Sequence, residues 1–133
     1  MRKLFEDAEK ALGEAKKEYE RYLKEKEGVI LREACEKGWM ATFLATDYLL
    51  MQKYGRKKPE SAEKRRRALY DLESLREEVK AYNLRDRFGS RAYHLHIIGF
   101  YEGQLKPDEL ITELEKVEKY LDVIRGLVRG GER

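Results

Sequence analysis

Both histidines of the chain, His94 and His96, fall in one stretch with two arginines, Arg87 and Arg91; from Arg87 to Gly103 it reads as a helix flanked by glycines. Arginine beside histidine is chemistry suited to a phosphate. A guanidinium offers a rigid fork that matches phosphate oxygens. A neutral imidazole can take a proton from a ribose hydroxyl near pH 7, and an imidazolium can donate one. Transesterification of RNA needs little beyond these two roles and good positioning. The same residues also suit plain packing. Arg87 and Arg91 can pair with Asp86 or with carboxylates on neighbouring helices, and His96 can be a core histidine among Tyr93, Ile97 and Phe100.

Spacing separates the candidates. On a helix reaching back to Arg87, residues Arg87, Arg91, His94 and Tyr101 stand at i, i+4, i+7 and i+14 and share a face. Tyr93, His96, Phe100 and Gly103 form a second stripe. His94 and His96 point roughly 200° apart, so they do not share a partner. With no further histidine and only one cysteine, Cys35, a metal site is disfavoured and an internal disulfide is excluded. No cofactor is expected, because no Gly-rich phosphate loop, nucleophilic serine motif or paired-carboxylate constellation is present.

The elements around this stretch are helical by pattern. Phe5, Ala8, Leu12, Ala15, Tyr19 and Tyr22 step by three and four residues and predict a first helix over 3–26, broken at Gly28. A second, least charged helix over Val29–Tyr54 is apolar around much of its circumference and is expected to be central, with Gly38, Ala41 and Ala45 as a small-residue strip. A third begins near Pro59–Ser61, with Leu69, Leu72, Leu75, Val79 and Tyr82 facing inward. The histidine helix is the fourth, starting near Asn83 or Ser90. The fifth starts at Pro107 and buries Leu110, Ile111, Leu114, Val117, Leu121, Ile124 and Leu127 before Gly130–Gly131. Long helices joined by short turns imply an all-α antiparallel bundle of about five helices, in a single domain over 1–133.

Composition bounds the rest. The net charge is +3, which permits nucleic-acid binding without demanding it. Dense opposite charge with one Asn and two Gln leans toward a thermophilic source. The charged N-terminus carries no signal-peptide pattern and no apolar run spans a membrane, so a cytoplasmic protein without membrane contact is expected. The turn and helix start holding Arg56, Lys57, Lys58, Arg65, Arg66 and Arg67 form a candidate grip on a nucleic-acid backbone, with Tyr54 and Tyr70 close enough in sequence to stack on bases. A solvated charged face is the plain alternative.

Arg91-Ala-Tyr-His-Leu-His96 resembles the motif of the HEPN-like superfamily, an arginine followed after four to six residues by a histidine on a late helix of a compact bundle. Arg87 to His94 also fits, and Ala92 stands where that family carries a polar residue. Residues 32–50 resemble its second-helix pattern. The resemblance implies a homodimer whose Arg and His side chains line one cleft, with RNA or nucleotide as ligand. It also implies two kinds of member: metal-independent ribonucleases, and noncatalytic modules paired with a nucleotidyltransferase or acting as antitoxins. By the family motif the working residues would be Arg91 and His96; by ideal helix geometry, where those two lie about 140° apart, they would be Arg87, Arg91 and His94. Arg91 belongs to both sets.

Overall fold

A computed structural model describes residues 2–131, and every regular element among them is helical. Helix α1 (Arg2–Glu25) buries Phe5, Ala8, Ala11, Leu12 and Ala15 and turns its Lys and Glu residues outward. It ends at Lys26, which takes a left-handed φ of 58° while its N–H donates to the Tyr22 carbonyl at 2.8 Å. Gly28, expected to break the chain, instead begins α2 (Gly28–Tyr48), which continues without interruption into a wider π turn over Leu49–Lys53.

Helix α2 is the axis of the fold. It packs against α1 and against each later long helix, which explains why apolar residues surround it. Phe5 at the start of α1 meets Tyr48 at the end of α2 with ring centroids 5.2 Å apart, and Glu14 meets Lys37 at 2.9 Å midway. The small-residue strip has the use its composition implies. A Cβ at Gly38 would lie 2.8 Å from Leu114, so the glycine sets how closely the last helix approaches.

The expected third helix is two. Helix α3 (Ala62–Glu73) is capped by Ser61, whose hydroxyl accepts from the Lys64 N–H at 3.1 Å. It stops where the N–H groups of Leu75 and Arg76 both donate to the Leu72 carbonyl. A short α4 (Glu77–Ala81) follows, and Asn83, with φ 52°, turns the chain into the next helix. The interruption breaks the helical phase. Leu69, Leu72 and Val79 are buried as the spacing predicts, but Leu75 and Tyr82 are exposed.

Helix α5 (Leu84–Arg91) runs on through Ala92–Tyr101 in a π coil, closed by the Glu102 N–H donating to the Ile97 carbonyl at 2.9 Å. Leu84, Phe88, Arg91, Leu95 and Gly99 form its buried line. Gly103, with φ 64°, leaves the helix beside the Arg32 guanidinium, in a left-handed conformation that a residue with a side chain adopts only with strain. Helix α6 (Pro107–Gly131) buries Leu110, Leu114, Val117, Tyr120, Leu121, Ile124 and Val128. Among the described residues no helix is long and apolar enough to cross a membrane.

Gly99 fixes how the histidine helix lies on α2. A Cβ there would stand 2.6 Å from Cys35 Sγ and 3.2 Å from the His94 carbonyl. Helix propensity alone would favour Gly99→Ala by about 1 kcal/mol. The clash is larger, and the substitution is expected to destabilise by about 1–3 kcal/mol. Urea unfolding measures the sign directly: an unchanged or raised midpoint would remove close approach as the reason for the glycine.

Candidate phosphate-binding cleft

The arginines of α5 open onto a cleft of ≈ 330 Å³ between α5 and α6, lined by Asp86, Arg87, Ser90, Arg91, Lys116 and Lys119. Local sequence explains the lining. Arg87 and Arg91 are one helical turn apart, and Lys116 and Lys119 are three residues apart on the other helix, so two pairs of cations line the cleft. Arg91 is almost fully buried. Its Nε donates to Glu113 Oε1 at 2.7 Å, and Lys116 Nζ stands 3.9 Å from the other oxygen of Glu113. No other hydrogen bond to the Arg91 guanidinium is found among the described residues, and Arg91 is one of the residues lining the cleft. Arg87 is half-buried beside it; burial raises the pKa of the nearby Tyr120 hydroxyl, while the hydrogen bond with Thr46 and the Arg87 charge act the other way.

The histidines are elsewhere. His96 faces α2, not α6, and its Nδ1 lies 2.8 Å from Glu36 Oε1. A carboxylate only accepts, so the Nδ1–H donates, and the neutral form of the ring carries its free electron pair on Nε2. The ring stacks parallel to Phe100 and lies against Trp39 and Tyr101, with about a quarter of its side chain exposed. His94 is half-buried and meets the ring of Tyr93 edge-on. Within one chain, therefore, Arg87 and Arg91 come together, while Arg91 and His96 are held by carboxylates on opposite neighbours, Glu113 of α6 and Glu36 of α2. Neither histidine lines the cationic cleft.

The basic run divides in the same way. Arg65 is not a surface cation: it is buried, forms two hydrogen bonds with Asp47 at 2.7 and 2.9 Å, and covers the ring of Phe43 at 4.5 Å. That corrects its place among the backbone-binding residues. Arg66 pairs with Glu63, Arg67 with Asp71, and Lys64 with Glu60, so much of the run is neutralised locally. Lys57 and Lys58 are exposed and Arg56 is half-buried. Tyr70 is half-exposed between the guanidinium groups of Arg67 and Arg85; Tyr54 donates to Glu78. Cys35 is buried, and burial, with the Glu36 charge beside it, pushes its thiol up to about 12. Among the described residues no group of three or more His, Cys, Asp or Glu side chains has the arrangement to hold a metal ion.

A family model, the archaeal PaREP1/PaREP8 family, matches residues 3–121. The chain belongs to that family. No curated protein and no solved structure matches it. The PaREP1/PaREP8 match contains the whole cleft, from Asp86 to Lys119, and both histidines. Several of the site's residues escaped the sequence reading. Glu113 and Asp47 left a signal, each a lone carboxylate on an apolar helical face. Lys116 and Lys119, the two lysines of α6, left none, being indistinguishable from the chain's other lysines until the fold places them at the cleft with Arg87.

Proposed function

We propose that this PaREP1/PaREP8 protein is an HEPN-like module, an antiparallel helical bundle that binds RNA or nucleotides through phosphate. One observation carries the reading: Arg87, Arg91, Lys116 and Lys119 converge on a single cleft. Guanidinium and ammonium groups so placed bind phosphate oxygens with charge-assisted hydrogen bonds. The α5 arginine stripe is the part of the site that the sequence pattern and the HEPN-like motif share. Binding, more than cleavage, suits the single chain, because the general base that a ribonuclease needs is turned toward α2.

A cleavage reading rests on a different observation, that His96 is oriented by Glu36 and keeps Nε2 as an acceptor. It requires a second copy to bring His96 to the arginines of the first. Tyr93, Ile97 and Tyr101, exposed in succession along the same helix, suit such a homodimer contact.

Fluorescence anisotropy with a short single-stranded RNA, over rising salt, tests the binding function. The logarithm of affinity should fall linearly with that of salt, by about 0.7 per phosphate neutralised. Lys119→Glu, at an exposed position, should weaken binding and flatten that slope. Affinity indifferent to both salt and Lys119 would exclude the cleft. Incubation of RNA in chelator, with His96→Ala beside the native protein, decides whether strands are also cut.

A further inference from the structure

The cleft's charge balance says more than that it attracts phosphate. Four cations line it, and two carboxylates, Asp86 at its wall and Glu113 behind Arg91, offset half of them. The excess is two positive charges. An internal phosphodiester of RNA carries one negative charge, whereas a phosphomonoester carries about −1.5 to −2 at neutral pH and offers three acceptor oxygens.

Shape agrees with charge. At ≈ 330 Å³ the cleft is at the small end of ligand sites, roomy enough for a phosphate with part of a nucleoside. The cations approach from two helices, Arg87 and Arg91 from one side and Lys116 and Lys119 from the other. Cations on both sides can meet the three free oxygens of a terminal group at once. Asp86 and Ser90 complete the lining with an acceptor and a hydroxyl, groups that can meet a sugar hydroxyl, and the Asp86 carboxylate would repel a second phosphate on that side.

We infer that the α5–α6 cleft selects a terminal phosphomonoester, that of a phosphorylated RNA end or a free nucleoside monophosphate, over internal phosphodiesters. The inference rests on the phosphate-binding function proposed above and narrows its ligand. Arg91, held by Glu113, forms the fixed floor; Arg87, Lys116 and Lys119 close on the outer oxygens.

The test uses the full chain and one short RNA sequence prepared with a 5′-phosphate, a 3′-phosphate or hydroxyls at both ends, with AMP, adenosine and inorganic phosphate as competitors. A phosphorylated end should raise affinity about tenfold, the scale of an added charge-assisted contact. AMP and inorganic phosphate should compete and adenosine should not. Lys116→Ala and Lys119→Ala, at exposed positions, should erase the preference while circular dichroism stays unchanged. Phosphorylated RNA binding more tightly than AMP identifies the RNA end as the ligand; equal affinity identifies the mononucleotide. If hydroxyl-ended and phosphorylated RNA bind equally well, terminal selection is overturned and phosphate-backbone binding stands. If neither RNA nor AMP binds, both are overturned.

Discussion

Asp47→Ala is expected to lower the free energy of unfolding by about 3–5 kcal/mol, the cost of leaving one member of a buried ion pair without its partner. Asp47 is fully buried in α2, and both its oxygens accept from Arg65 of α3. Its removal strands a guanidinium that lies over Phe43 and has little access to water. The pair also ties α3, a helix with only three buried side chains, to the axis of the fold. Thermal unfolding should show a fall in Tm of at least about 10 °C. The double change Asp47→Leu with Arg65→Met should recover much of the loss, since an apolar pair of similar volume avoids desolvating two charges. A loss below about 1 kcal/mol would match a solvent-exposed pair and contradict the burial.

Arg91 calls for a similar comparison, because a single substitution there mixes two effects. Arg91→Ala is expected to cost about 3 kcal/mol, whatever Arg91 does for a ligand, because it leaves the buried Glu113 carboxylate only the Lys116 ammonium, 3.9 Å away. Lost RNA binding in that variant alone therefore says little. Arg91→Leu with Glu113→Leu should restore most of the stability and still abolish phosphate binding, since the floor of the cleft has gone. Lys119→Ala should leave stability within about 0.5 kcal/mol of the native protein, as surface changes commonly do. Denaturant midpoints and RNA affinity measured on the same preparations separate the two contributions. A double variant that is stable and binds RNA normally would remove Arg91 from the site.

The parts of the fold legible in the sequence were those with an unbroken phase. In α1 and α6 the apolar residues step by three and four between Lys and Glu, and the buried faces follow that stepping. The gap between α3 and α4 was not legible, because Ser74-Leu-Arg76 contains neither glycine nor proline and the leucines keep their spacing across it. The end of α1 was legible to within a residue, but the left-handed turn that makes it falls at Lys26 and not at Gly28. For the site, the α5 arginines were legible as a helical pair. The separation of Arg91 from His96 depended on which carboxylates the fold sets around them, Glu113 and Glu36, and helical spacing carries no such information. Arg65 illustrates the same limit. Within a run of basic residues nothing distinguishes the one that meets a buried carboxylate eighteen residues earlier.

The wide coil over Ala92–Tyr101 has a consequence for what the chain can change. A helix bonded from each residue to the fifth beyond it holds more residues in a given rise than an α-helix does. Losing one residue there without a compensating tightening of the coil would swing everything beyond by roughly 100°. Gly99 would leave Cys35, and the turn at Gly103 would no longer meet Arg32. Exchange of side chains on the outer line, at Tyr93, Ile97 or Tyr101, carries no such penalty. The length of this stretch, more than its outward chemistry, keeps α6 in register with α5 and so holds Lys116 and Lys119 across from the two arginines.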